Sequence, residues 1–272
     1  MTKLLLRPER KSGLIHQVTP KSAKWRYVGM SIYSLDKGEE ISGFSKKDEV
    51  IIVIIEGKSE IEIEKKNYGI LGERMNVFEQ LAPHSVYVPN QTNWKAFTVS
   101  KCTLAVCTAP GRLNYEPKIL DRPELIQRGK GSNTRYINNI AMESDDVADS
   151  LLVTEVFTPP GNWSSYPPHR HDEDNFPHIT YLEETYYHRL NPEKGYGIQQ
   201  IWTDDGSLDE TYKVRNQDVV LVPKGYHPCG VPYGYEMYYL NVMAGPIRKW
   251  RFKNDPDHNW IYERDNKIKT RK

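Results

Sequence analysis

Asp48-Glu49-Val50-Ile51-Ile52-Val53-Ile54-Ile55 sets two carboxylates in front of six consecutive Val and Ile residues. A short apolar run bounded by turn residues reads as a β-strand. The signal recurs in Ser85-Val86-Tyr87-Val88, Leu104-Ala105-Val106, Thr185-Tyr186-Tyr187-His188, Val219-Val220-Leu221-Val222 and Met237-Tyr238-Tyr239-Leu240. With Gly, Pro, Asn and Asp between the runs, the chain is expected to be all-β, a sandwich or barrel. Helical periodicity is scarce, with short helices expected at most at 123–128 and 141–150.

The two halves repeat weakly. Asp48-Glu49 and Glu183-Glu184 both lead strands, at an offset of 135 residues. Val86-Tyr87-Val88-Pro89 matches Val220-Leu221-Val222-Pro223 at 134, and Leu104 to Pro110 matches Leu240 to Pro246 at 136. Three landmarks in one order at a nearly constant offset argue for duplication of a β unit. The expected organisation is an N-terminal barrel over 1–115, a connector over 116–150 with a loop signal at Arg128-Gly129-Lys130-Gly131-Ser132-Asn133, and a C-terminal barrel with its tail over 151–272.

Composition narrows the function classes. No stretch approaches the ~18 apolar residues of a membrane span. The formal charge of +1, from 37 basic and 36 acidic residues, gives no reason to expect a nucleic-acid partner. The basic end, Lys267-Ile268-Lys269-Thr270-Arg271-Lys272, reads as a solvated tail. Cys102, Cys107 and Cys229 form no Cys-x-x-Cys pair, and three leucines near the N-terminus are too few for a secretory signal. A cytoplasmic location is expected.

Chemistry concentrates in the second half. Pro167-Pro168-His169-Arg170-His171-Asp172 sets two histidines at i and i+2, which a strand would direct to one face. The strand beginning near Leu182 would put Glu184, Tyr186 and His188 on one face, and Val222-Pro223-Lys224-Gly225-Tyr226-His227 adds a histidine at a tight turn. His169, His171, Glu184 and His227 together suit one divalent transition metal and leave positions open for a substrate. Zn is expected first, with Mn or Fe as alternatives. Glu173 and Glu183 compete with Glu184 as the carboxylate; Glu184 is preferred because it precedes the strand and six residues separate it from Asn191.

These residues resemble the cupin superfamily. Its first motif, Gly-x5-His-x-His-x3-4-Glu-x6-Gly, reads here as Gly161, seven residues, His169-Arg170-His171, a longer loop, Glu184, then Asn191 for the last Gly. Its second, Gly-x5-Pro-x-Gly-x2-His-x3-Asn, reads as Gln217, five residues, and Pro223-Lys224-Gly225-Tyr226-His227, one residue short and without the final Asn. In the N-terminal unit the offset places Asp36 or nearby residues opposite the His-x-His pair and Thr92 or Asn93 opposite His227, and only Glu49 is expected to keep its ligand-type side chain. That barrel is expected to have lost its metal and to serve as scaffold and oligomer contact.

A narrower resemblance covers 161–260. The stretches 164–177, 181–192, 203–210, 223–228 and 238–246, with Asn254-Asp255-Pro256, look like the 5-deoxy-glucuronate isomerase family of myo-inositol catabolism. The resemblance implies a bicupin that converts 5-deoxy-D-glucuronate to 2-deoxy-5-keto-D-gluconate, an aldose–ketose isomerisation. The proton on C2 must leave and reappear on C1. A cation at the carbonyl would stabilise the charge that develops, and acid–base groups would carry the proton.

His188 is the first candidate for that shuttle, with Tyr186 and Tyr239 as donors to substrate oxygens. The substrate carboxylate would favour Arg, with Arg170 expected to point away from the ligand face and Arg248 and Arg251 unoriented. Rival readings are an Fe(II) dioxygenase and a non-catalytic sugar-acid binder.

Overall fold

The run that opens the sequence reading lies in the strand Asp48–Glu56, hydrogen-bonded to Cys102–Pro110 on one side and Ser85–Val88 on the other. The run does not alternate with polar residues because both its faces are buried. Val50, Ile52 and Ile54 pack inside the first barrel with Val86, Val88, Trp94, Leu104 and Val106. Ile51, Val53 and Ile55 face the other way, into a core shared with Val153, Tyr187, Leu221 and Val242 of the second barrel.

The computed structural model describes residues 3–112 and 115–267. The expected basic tail is outside these residues, apart from Lys267. The first large sheet runs Lys118–Ile119, Ser85–Val88, Asp48–Glu56, Cys102–Pro110, Gly29–Leu35 and Gly13–Val18. The second runs Leu5–Leu6, Val219–Val222, Glu183–Asn191, Glu236–Ala244, Leu152–Thr158, Arg135–Ala141 and Ile126–Arg128. A four-stranded sheet closes each barrel: Glu40–Phe44, Asn93–Thr98, Ser59–Ile63 and Lys66–Leu71 in the first; Trp163–Ser164, Cys229–Gly230, Gly197–Trp202 and Asp209–Val214 in the second. The fold is an all-β pair of jelly-roll barrels with the large sheets back to back.

Strands redraw the expected boundaries. Lys118–Ile119 edges the first sheet, whereas Ile126–Arg128 and Arg135–Ala141 belong to the second, so 116–150 is not a free connector. Leu5–Leu6 crosses to the second barrel and pairs with Val219–Val220, where Arg7 pins it by pairing with Asp218. The second barrel thus receives an edge strand from the N-terminus, and the first receives one from the segment that follows its own last long strand. No helix forms at 123–128 or 141–150; the latter turns where the Asp145 carboxylate accepts the Met142 N–H. A helix the sequence did not signal, Trp260–Lys267, ends the described chain.

The structure corrects one pairing in the repeat. Val50 pairs with Val88 and Glu184 with Val222, so the equivalent of Glu184 in the first barrel is Val50, at an offset of 134. Glu49 is instead the counterpart of Glu183. Glu183 accepts the backbone N–H groups of Arg26, Tyr27 and Val28 at 2.6, 2.7 and 3.0 Å, and Glu49 accepts those of Asp149, Ser150 and Leu151, each at 2.7 Å. Both carboxylates hold chain segments that lie outside their own strand systems. Between the barrels, buried Arg74 pairs with buried Glu155 through two bonds of 2.8 and 2.7 Å.

Candidate active site

Alternation along Glu183–Asn191 separates structural from interior side chains. Glu183, Thr185, Tyr187 and Arg189 face the first barrel: Thr185 reaches Met30, and Arg189 pairs with Glu56 at 2.7 Å. Glu184, Tyr186 and His188 face the interior of the second. Their equivalents, Val50, Ile52 and Ile54, fill the first barrel with hydrocarbon, together with Trp94, whose ring lies where a Cβ on Gly43 would fall. Glu, Tyr and His at the three positions where the first barrel has Val, Ile and Ile make one interior polar and leave the other plugged.

The histidines arrive on an insertion. Residues 45–47, three in number, join Glu40–Phe44 to Asp48–Glu56, whereas 165–182, eighteen residues, join Trp163–Ser164 to Glu183–Asn191. The long segment contains the two-residue strand His169–Arg170, paired with Lys253–Asn254, then a hairpin of Asp172–Asn175 with Ile179–Tyr181. That hairpin explains the stretched spacing from His171 to Glu184. Asp36 precedes the first barrel's equivalent strand and so has no histidine counterpart. Asn93 hydrogen-bonds Glu64 at the surface.

His171 Nε2 lies 3.0 Å and His227 Nε2 3.1 Å from Glu184 Oε2. One ligand atom from each of the three residues falls within 4.8 Å of the others, the only such group among the described residues. Glu173 is tied instead to Arg170 at 2.5 Å, and Glu183 to the backbone groups above. His169 joins the group less closely: its ring centroid is 5.0 Å from that of His227 and 6.3 Å from that of His171, and it packs on Phe252 at 4.8 Å.

The donor set fits a cation. His171 Nδ1 is 3.2 Å from the Leu182 carbonyl and His227 Nδ1 2.8 Å from that of Gly225, contacts that place the ring protons on Nδ1 and leave Nε2 as a lone pair. Two lone pairs and a carboxylate then converge with no donor among them, and His227 Nε2 is a buried atom without a hydrogen-bond partner. Asn241 Nδ2 holds the far oxygen of Glu184. Burial and the neighbouring imidazoles hold His169 well below the usual histidine value, hence neutral.

Above this group opens a cavity of about 560 Å³, lined by His169, Glu184, Tyr186, Tyr239, Asn241, Trp250 and Arg135 among others. Tyr239 Oη meets Ser164 Oγ at 2.8 Å and Tyr186 Oη meets Ser165 Oγ at 3.0 Å. Burial pushes both phenols up, so both stay protonated. His188 is fully buried and does not line the cavity; it stacks on Tyr186 at 5.9 Å and hydrogen-bonds Gln199 at 2.9 Å.

The arginines considered from sequence do not line the cavity. Arg170 pairs with Asp172, Arg251 with Glu143, and Arg248 donates to the Leu151 and Asp145 carbonyls. Asn241, Ser164, Ser165 and Arg135 were missed, since an uncharged partner or a lone arginine carries no spacing signal.

Fold and cavity define a two-barrel cupin with one polar barrel. The chain belongs to the KduI/IolB family, which it matches over residues 4–261. It is 51% identical over 253 residues to the 5-deoxy-glucuronate isomerase of Geobacillus thermodenitrificans (strain NG80-2), covering 92% of each chain. It is 46% identical to that of Bacillus subtilis (strain 168), covering 92% of this chain and 93% of the relative. The crystal structure of an IolB-like protein from Salmonella typhimurium LT2 superimposes with a TM-score of 0.94 at 44% identity, over 96% of this chain and 99% of the other. Bacillus subtilis oxalate decarboxylase shares the fold alone, with a TM-score of 0.64 at 11% identity over 93% of this chain and 80% of the other.

Proposed function

We propose that the protein isomerises 5-deoxy-D-glucuronate to 2-deoxy-5-keto-D-gluconate, with one divalent metal held by His169, His171, Glu184 and His227. The convergence of His171, Glu184 and His227 beneath a cavity large enough for a sugar acid carries this reading, and the curated relatives supply the substrate. Small-molecule sites span roughly 300–1,000 Å³, a range that includes this cavity. Zn is the first choice of metal, then Mn or Fe. The bound ion would supply electrophilic polarisation of the C1 carbonyl.

The chain's own groups provide orientation and hydrogen bonds. Asn241 fixes Glu184, and the Leu182 and Gly225 carbonyls fix the tautomers of His171 and His227. Tyr186 and Tyr239, held neutral, donate to substrate oxygens, with Ser165 and Ser164 setting the hydroxyl directions. His188 acts from behind them as a positioning residue for Tyr186. Three buried unpaired cysteines suit a reducing compartment, which supports a cytoplasmic location.

Metal-loaded protein incubated with 5-deoxy-glucuronate should form the ketose by NMR without consuming oxygen, and chelated protein should not. Replacing His171, His227 or His169 with Ala should lower both bound metal and turnover at least tenfold. Full activity in any of these variants removes that residue from the ligand set, and oxygen uptake would replace the isomerase with an oxygenase.

A further inference from the structure

The cavity wall contains a cation that the isomerisation outlined above does not use. Arg135 opens the strand Arg135–Ala141 and lines the cavity. Its Nη1 donates to the carbonyls of Asn133 at 3.1 Å and Tyr166 at 3.2 Å. No hydrogen bond from Nε or Nη2, and no ion pair with an Asp or Glu, is made among the described residues. One corner of the guanidinium is therefore anchored while its other donors remain free for a ligand.

Two further observations favour an anion there. Arg128 lies directly across the sheet from Arg135, in the register Arg128↔Arg135, and also lines the cavity without an acidic partner among the described residues. Like charges facing each other across antiparallel strands destabilise a sheet unless something neutralises them. The hairpin between them is built to let the guanidinium in: Gly129 has φ +74°, and a Cβ there would fall 2.1 Å from the Asn133 carbonyl oxygen and 2.8 Å from Arg135 Nη1. The acidic side chain on the same wall, Asp265, is engaged by Arg264 at 2.9 Å.

We propose that Arg135, assisted by Arg128, binds the carboxylate of the sugar acid and sets the enzyme's preference for uronates over neutral sugars. The inference rests on the isomerase reading, because that substrate has its carboxylate at C6, the opposite end of the carbon chain from C1 and C2. A planar guanidinium pairs with both carboxylate oxygens, and an anchored one loses less freedom on binding. Held at that end, the sugar directs C1 and C2 towards Glu184 and the two tyrosines.

The test compares wild type with Arg135→Met and Arg135→Lys on 5-deoxy-glucuronate and on 5-deoxyglucose, its neutral analogue, with bound metal and melting temperature measured alongside. Arg135→Met should raise KM for the acid about 10²- to 10³-fold, with kcat changing less, and should leave metal content and the rate on the neutral sugar unaltered. The acid-to-neutral preference then collapses towards one. Arg135→Lys should recover part of it, because an ammonium keeps the charge and loses the fork; it also serves if the Met variant does not fold. Unchanged KM for the acid, an equal loss on both sugars, or loss of metal in both variants would overturn the subsite. Calorimetry with D-glucuronate as probe separates the two proposals: Arg135-dependent binding by a wild type that forms no ketose keeps the subsite and removes the reaction.

Discussion

His188 places its Nε2 against Gln199 and leaves Nδ1 buried without a partner. Burial pulls its pKa down to about 4. An unfolded histidine takes up its proton near pH 6.5, so between there and about 4 the unfolded chain binds a proton that the folded one refuses. Stability contributed by neutral His188 is complete above pH 6.5 and is lost as pH falls to about 4, amounting to about 3 kcal/mol. Urea unfolding at a series of pH values should therefore give a shallower decline for His188→Gln than for wild type across this window. Parallel declines would show that His188 does not carry the loss. His171, Glu184 and His227 could be brought together from sequence because a His-x-His pair, a strand carboxylate and a histidine after Pro-x-Gly each have a recognisable pattern. Asn241 and Arg135 could not, because the contacts that give them meaning cross the sheet or the cavity and depend on register.

Among the elements, strands were legible in the sequence and their register was not. Strands such as Ser85–Val88 and Val219–Val222 could be read to the residue because their apolar runs end at turns. Asp48-Glu49 and Glu183-Glu184 look interchangeable, but a slip of one residue moves a side chain to the opposite face. That slip equated Glu49 with Glu184, when Glu49 in fact matches the outward Glu183. The turn before His227 is stricter. Gly225 has φ +89°, and a Cβ there would fall 2.2 Å from the Trp202 carbonyl oxygen. Gly225→Ala should displace His227, cost at least ~1–3 kcal/mol and lower metal affinity, as read by thermal melting and metal titration. A variant with wild-type metal affinity would show that the turn tolerates the change.

Across the whole molecule, duplication was legible but the docking of the two units was not, since the groups that join them are spread along the chain. Arg74, Glu155, Asn138 and Tyr238 form one buried network: Glu155 accepts from Arg74, from Asn138 at 2.8 Å and from Tyr238 at 3.0 Å. Removing Arg74 leaves a buried carboxylate without its counter-ion, typically a loss of about 3–5 kcal/mol. Arg74→Met should lower the melting temperature by on the order of 10 °C. Adding Glu155→Gln, which removes the charge, keeps one acceptor for Asn138 and turns an N–H donor towards the Tyr238 hydroxyl oxygen, should restore most of it. Failure of the double variant to recover would place the loss in packing around Arg74 rather than in charge.

The reciprocal edge strands, Leu5–Leu6 in one sheet and Lys118–Ile119 in the other, have the arrangement that an ancestral pair of subunits exchanging arms would show if joined end to end. In such an ancestor both copies would have had to meet every demand at once, because a single gene encoded them. Fusion fixes the local concentration of each half for the other, and association no longer depends on how much protein the cell makes. It also lets the halves diverge: one copy is free to fill its lumen with Val50, Ile52 and Ile54 and become a rigid backing, while its twin keeps the polar interior.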